Sequence, residues 1–484
     1  MKLKFRWLAG VLTMAAVPAA GQVVSVDGGA VRGKAFEGGG IMFRGIPFAA
    51  PPVDNLRWKP PQPVTPWKGV RDSIDQPASC VQNDQGWNKG DFNIGREDCL
   101  TLDVRTPAVA GKRPVLVWIH GGSNRAGGPN DTILSDLGKE VVLVGVRYRL
   151  GIFGFLSHRK LTAEQGGSGN YGIMDQVAAL EWVKRNIAKF GGDPNNVTIA
   201  GESAGSQDVS LLLAAPAASN IFQKAIMESG TPGFGLPYRS LEDAERLGDQ
   251  ADALLGAGGD ISKMRRMSVP ALLAVDLKLH DDALESDSMT WLRTTIDGKL
   301  FTASPTSLLK QAPLRSVIAG TNKIEFGVDR THRDALIAKA FEGRAVEARA
   351  FYERGPGTDP RMGNLDDQIG TDVTFRCPTV NVAKLLAARG AKVWHYEFDS
   401  APGGGLTRHS AEIAYAFGDQ QFAPGLSLKP YWLNFVKTGD PNGAGVPAWP
   451  RFTADVQQHV LFDAKGVTRL GPLRPEVCSL SDRL

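Results

Sequence analysis

Short apolar runs and longer stretches of helical periodicity take turns along most of the chain. Val115–Ile119 is a β-branched run that ends in His120-Gly121-Gly122, and Val141–Val146 is another that ends at Arg147-Tyr148-Arg149. Runs this short, bounded by turn signals, predict strands buried on both faces. Tyr171–Phe190 repeats at helical spacing and stops at Gly191-Gly192-Asp193-Pro194, a helix terminator. Val197–Ala200 predicts a third strand, broken by Gly201, and Leu211–Ala215 continues an apolar helix after Ser203. Arg315–Ala319 and Lys392–Phe398 predict later strands, while Asp334–Arg354, mixed in charge and rich in alanine, predicts one long surface helix. The alternation implies an α/β fold whose mostly parallel central sheet carries helices on both faces. No internal repeat and no Pro/Ser linker divides residues 22–484, so a single domain with helical insertions is expected there.

Composition adds three constraints. With 484 residues, 42% of them apolar, the chain can bury a large core, and its 56 glycines and 30 prolines suit a loop-rich enzyme. The N-terminus reads as a signal peptide over residues 1–21: basic Lys2–Arg6, apolar Trp7–Val17, then small Ala19, Ala20 and Gly21. That apolar run is too short to span a bilayer and no later run is long enough, so export to a periplasm or the medium is expected, without a transmembrane segment. Removing the leader's three basic residues lowers the formal charge from +4 to about +1. No basic run with interleaved aromatics remains, which argues against nucleic acid as a partner. The four cysteines, Cys80, Cys99, Cys377 and Cys478, allow three pairings in an oxidising compartment. Cys80 with Cys99 would close a short loop containing Trp87, worth about 3 kcal/mol by chain entropy, leaving Cys377 for Cys478.

The chemistry centres on Gly201-Glu202-Ser203-Ala204-Gly205. The bare G-x-S-x-G pattern carries little in so glycine-rich a chain. Its position, after a strand and at the start of an apolar helix, is where a nucleophile elbow must sit. Glycines flank the serine because that turn leaves no room for side chains, and the helix N-terminus aims its dipole at the reacting centre. A serine hydroxyl needs a base. Among seven histidines, His409 follows the Lys392–Phe398 strand across a Pro402-Gly403-Gly404-Gly405 loop, the setting this fold gives its base, whereas His395 lies inside a strand pattern. Between serine and histidine, Glu325 ends the segment Gly320–Glu325 at a strand end, with Asp329 its nearest rival. Backbone N–H groups of Ala204 and of the loop Gly121-Gly122-Ser123 can meet the developing oxyanion, each worth roughly 3 kcal/mol in the transition state.

Together these motifs resemble the type-B carboxylesterase family, which includes cholinesterases and bacterial para-nitrobenzyl esterases. Phe43–Ala49 with Pro51-Pro52 and Leu56-Arg57-Trp58, Glu97-Asp98-Cys99-Leu100 and Phe190–Pro194 are similar to its N-terminal segments. Gly320–Glu325, His409-Ser410-Ala411-Glu412, Gly439–Asn442 and Trp449-Pro450 match later ones. The resemblance covers nearly the whole mature chain and implies the α/β-hydrolase fold, a triad of Ser203, Glu325 and His409, and oxyanion donors at Gly122, Ser123 and Ala204. It also implies the Cys80–Cys99 bridge and ion pairs Arg44–Glu97 and Arg149–Asp175 that fix geometry more than they stabilise. Glu202 and Ser229 are expected to form an outer layer that orients histidine and water, with Gly121 and Trp87 nearby. Where the family continues the glycine loop with a small residue and an aromatic, this chain has Ser123-Asn124-Arg125. Arg125 could receive an anionic acyl group or pair with a neighbouring carboxylate. The 84 residues from Glu325 to His409 look few for the family, and a trimmed cap over a wider gorge would follow.

The expected activity is hydrolysis of small carboxylic esters through an acyl-enzyme, without metal or organic cofactor, by a monomer or small homo-oligomer. Because His409 must be neutral to act, activity should rise with pH through roughly 6–7. Two rival readings are a lipase, separable by acyl-chain preference, and a non-catalytic binding member of the family, which would lack the nucleophile.

Overall fold

Alternate residues of the central strands enter two different cores, and that division organises the fold. In the computed structural model, which describes residues 21–281, 293–355 and 359–484, the sheet has eleven strands. In chain order they are β1 (Lys34–Ala35), β2 (Ile41–Pro47), β3 (Thr101–Thr106), β4 (Arg113–Ile119), β5 (Val142–Val146) and β6 (Gly192–Glu202). There follow β7 (Lys224–Glu228), β8 (Ser316–Asn322), β9 (Val393–Asp399), β10 (His459–Asp463) and β11 (Gly466–Leu470). Their order across the sheet is β11-β10-β9-β8-β7-β6-β4-β5-β3-β2-β1. The seven from β10 to β5 run parallel, and antiparallel strands finish both margins. Val115, Val117 and Ile119 join one cluster with Val142, Val144, Val146, Val317 and Ala319. Leu116 and Trp118 join Leu143 and Ile318 in the other. The period-2 alternation of a strand thus fills both layers of helices at once.

This is the large mixed sheet with helices on both faces of the α/β-hydrolase fold. The expected strands are present, with β6 longer than its apolar run and continuing through Gly201 to Glu202. Helix α1 (Tyr171–Asn186) tightens into a short turn over Ile187–Phe190, and Gly191, at φ +76°, ends it in the left-handed conformation that glycine adopts without strain. Helix α2 (Ala204–Ala214) is buried along its whole length.

Two expectations are corrected. The long surface helix over Asp334–Arg354 is a pair, α3 (Arg333–Phe341) and α4 (Ala345–Glu353), broken at Glu342-Gly343-Arg344 where Glu342 takes φ +44°. The pair is not wholly superficial. Ile337, Ala340, Phe341, Ala348 and Tyr352 bury a face against Ile369, Val373 and the Cys377–Cys478 disulfide. The pair Arg44–Glu97 does not form. Both oxygens of Glu97 are gripped by one edge of Arg57, Nε and Nη2, at 2.8 and 2.5 Å, while Nη1 of Arg57 donates to the carbonyls of Arg265 and Met267. Arg44 lies within β2, where its N–H donates to the Ser73 carbonyl. Arg149–Asp175 is bidentate and buried, and Cys80–Cys99 closes the second disulfide. The proposed leader lies outside the described residues except for Gly21. Among the described residues no helix is long and apolar enough to cross a membrane.

Candidate active site

The chain order reverses beside β4, which has β6 on one side and β5 on the other, and a crevice forms outside the carboxyl ends of the strands. β6 delivers Ser203 there. Ser203 is held at φ +57°, ψ −126°, a backbone conformation few L-residues tolerate, and its N–H donates to the Glu228 carbonyl at 2.8 Å. The flanking glycines are required by close approach. A Cβ on Gly205 would stand 2.1 Å from the Ile119 carbonyl oxygen, and one on Gly201 would stand 2.5 Å from Gly205. Strand and helix could not otherwise meet so tightly at the serine.

His409 and Glu325 come together as expected, with His409 Nδ1 2.5 Å from Glu325 Oε2. The other oxygen of Glu325 accepts from the Asn322 N–H and the Ser229 hydroxyl, both at 2.7 Å. Glu325 is 1% exposed, which leaves its orientation to these bonds. The rival Asp329 instead accepts from Thr331 in an exposed turn. Glu202 reaches the other face of the imidazole. Its Oε1 lies 3.1 Å from His409 Nε2 and accepts from the Ser410 hydroxyl at 2.6 Å. Burial opposes a charge on His409, but the Glu202 and Glu325 carboxylates outweigh it and raise the imidazole to about 9.

Ser229 lies deeper, as expected, between Glu325 and Glu412. Glu412, whose second oxygen accepts from Asn322 at 2.6 Å, is pushed up to about 8 by burial and by the charges of Glu202 and Glu325. Glu228, bonded by Trp432 Nε1 at 3.0 Å, is raised well above the usual carboxylate range by burial and by Glu412. The carboxyls farther from the imidazole are therefore kept neutral. Sequence reasoning found neither as part of the site. The only trace was Glu412 three residues after the histidine.

On the other side of Ser203 stands the glycine loop. A Cβ on Gly121 would lie 3.1 Å from that of Ser203, and one on Gly122 would strike the Ala126 carbonyl at 2.1 Å and reach the Trp87 ring at 3.0 Å. Gly122, Ser123 and Asn124 have φ of +103°, +57° and +55°, so the loop curls with successive N–H groups on its inner side. No described residue accepts a bond from the N–H of Gly122, Ser123 or Ala204. Asn124 fixes the curl: its Nδ2 lies 3.0 Å from Asp208 Oδ1, its Oδ1 lies 3.1 Å from the Tyr148 hydroxyl, and its carbonyl accepts from Gly151 N–H at 2.7 Å. Arg125 is turned away from the crevice and pairs with Asp276 at 2.7 Å, both side chains about 5% exposed. A carboxylate partner, rather than an anionic acyl group, is thus what the structure places against it.

The crevice wall is aromatic. Phe326 lies 4.3 Å and Phe375 5.1 Å from the His409 ring, centre to centre, and Phe234 packs on Phe375 at 5.4 Å. Trp87 and Phe326 are 64% and 51% exposed, so the crevice opens between them towards solvent. Phe326 could have been found beside Glu325. Phe375 comes from a distant helical segment and left no local signal.

Comparisons with known proteins show the family and the fold. A profile of the carboxylesterase family matches residues 20–342 and 347–478. The chain is 34% identical to the liver carboxylesterase of Sus scrofa, covering 92% of this chain and 90% of that one. It is 35% identical to carboxylesterase 5A of Canis lupus familiaris, over 86% and 80%. Among solved structures, a PNB esterase superimposes with a TM-score of 0.81 at 29% identity, over 93% of this chain and 97% of that one. A carboxylesterase of Geobacillus stearothermophilus gives 0.76 at 29% identity, over 95% and 99%.

Proposed function

The chain belongs to the carboxylesterase family and is a serine hydrolase of carboxylic esters, and from that premise we propose that Ser203, His409 and Glu325 perform the reaction. The observation that carries the assignment is the 2.5 Å bond from His409 to a Glu325 held on its other oxygen, beside a serine strained into the elbow conformation. Glu325 accepts the Nδ1 proton and so leaves Nε2 to serve Ser203. Ser203 attacks the ester carbonyl as His409 Nε2 takes the hydroxyl proton. Charge develops on the carbonyl oxygen, where the N–H groups of Gly122, Ser123 and Ala204 donate to it. His409 returns the proton to the departing alkoxide, and a water activated by the same nitrogen releases the acid.

Glu202 competes for Nε2 in the resting site, so the free enzyme must lose a proton from His409 before it can react. The acid limb of kcat/KM then lies higher than an ordinary histidine would place it, with activity rising as pH approaches about 9. Trp87, Phe326 and Phe375 favour esters with apolar groups. We also read the mature protein as one exported domain, a monomer or small homo-oligomer, in keeping with its two disulfides.

The test is hydrolysis of para-nitrophenyl esters, acetate through decanoate, by wild type and Ser203→Ala. A loss of at least about 10⁴-fold in kcat is expected for the variant. A folded Ser203→Ala protein that keeps its rate would sink the assignment, and the chain-length profile separates a short-ester enzyme from a lipase.

A further inference from the structure

Asp208 is a carboxyl near the crevice, on the oxyanion side of Ser203, that the reaction above does not use. It lies in α2, five residues past the nucleophile, fully buried, and its described partners are all amides. Gln176 Nε2 donates to its Oδ2 at 2.6 Å. Asn124 faces its Oδ1 from the glycine loop at 3.0 Å. The charged groups on the surrounding elements are engaged elsewhere: Arg125 with Asp276, Arg147 with Asp103 and Arg149 with Asp175. Tyr148 is the titratable group that faces Asp208, and burial raises its hydroxyl well above the usual value. His120, stacked on Tyr148 at 4.5 Å, is pushed down to about 4 by burial and is neutral.

Counting protons along this chain decides its state. The Tyr148 hydroxyl lies 2.7 Å from the His120 carbonyl and 3.1 Å from Asn124 Oδ1, and its one proton can serve only one of them. If Asp208 is ionised, Asn124 must donate to it, and one of those two carbonyls is left without a donor. If Asp208 carries a proton, the Asn124 amide turns over in place, which the same heavy-atom positions accommodate. Asp208 then donates to Asn124 Oδ1, Asn124 Nδ2 donates to Tyr148, and Tyr148 donates to the His120 carbonyl. Each of these carbonyls meets a donor only when the proton is present.

We propose that Asp208 is a positioning residue for the oxyanion loop, acting as a neutral carboxylic acid that donates to Asn124 and so holds the Ser123 N–H in place. The proposal rests on the reading of Ser203 as the nucleophile with Gly122 and Ser123 as its oxyanion donors. Burial, acting against the bonds from Asn124 and Gln176, pushes the Asp208 carboxyl up to about 7, so the proton is held in mildly acid solution and lost in alkaline. Its loss leaves a carbonyl unpaired behind the loop and puts a buried negative charge where an oxyanion must form next door.

The experiment compares wild type with Asp208→Asn, whose side-chain amide donates at every pH, using para-nitrophenyl acetate between pH 5.5 and 9. Titration of His409 is common to both proteins and cancels in their ratio. The ratio of wild-type to variant kcat is expected to fall about 5-fold with a midpoint near pH 7, the effect of one lost hydrogen bond, while the KM ratio stays flat. A flat kcat ratio, or a change confined to KM, would overturn the proposal. Tyr148→Phe gives a second reading if Asp208→Asn does not fold. Without the contested proton the pH step in kcat should shrink, and an undiminished step also overturns the proposal. An active Ser203→Ala protein would remove the underlying reading, whereas an inactive one with a flat ratio removes this inference alone.

Discussion

The two sides of Ser203 are built from different materials. On the base side, His409 lies among Glu202, Glu325 and Glu412, with Glu228 behind them. On the oxyanion side, the glycine loop is held by Asn124, Tyr148 and backbone carbonyls, its Asp208 carboxyl is bonded by amides, and Asp276 is paired with Arg125. The division follows the charges of the reaction. A cation forms on the imidazole, and buried carboxylates stabilise it without reorganising. An anion forms on the substrate, and an uncompensated negative charge behind the loop would oppose it; there Asp276 is matched by Arg125 and Asp208 is bonded by amides.

The largest expected effect lies on the charged side. Glu325→Gln keeps the shape but not the charge or the tautomer, and should lower kcat by about 10⁴-fold on para-nitrophenyl acetate. A loss under tenfold would mean that another carboxylate orients His409. On the uncharged side, Asn124→Ala frees the loop while leaving its N–H groups in the chain, and a fall in kcat of about 10- to 100-fold is expected, less than for outright removal of a donor. If Asn124→Ala costs as much as Glu325→Gln, the two sides are not distinct in kind. The smallest effect is a displacement along the pH axis. Glu202 holds His409 in its charged form, so Glu202→Gln should move the acid limb of kcat/KM down by about one unit from its wild-type position near 9. An unmoved limb in a steady-state pH profile would show that Glu202 does not face the imidazole in solution.

What the sequence revealed is what a few adjacent residues enforce. The elbow was legible because a strand-to-helix turn needs glycine at Gly201 and Gly205 whatever surrounds it. His409 and Glu325 could be placed because each follows a strand by a short loop. Asp208 left no distinct signal, because it stands among Ser206, Gln207 and Ser210 in the sequence and only the folded chain shows that helix buried along its whole length. Phe375, Asn322 and Tyr148 reach the crevice from segments whose distances the fold decides. The errors have the same origin. Arg44 and Arg57 both precede Glu97 in segments similar to the family, and only the folded chain selects Arg57. The break in Asp334–Arg354 falls at Glu342, whose left-handed backbone an averaged helical pattern concealed.

The sheet's strand order also dictates when the enzyme can exist during its own synthesis. β6 and the serine elbow leave the ribosome about 200 residues before His409, and β9, which fits between β8 and β10, must follow before β10 can close that margin. Until His409 follows β9 the nucleophile has no base, and until β10 is made the sheet lacks its last parallel strand. A nascent chain stalled before His409 would therefore be inert towards esters, and the first turnover would mark the moment at which β9, the loop carrying His409 and β10 have been made and assembled.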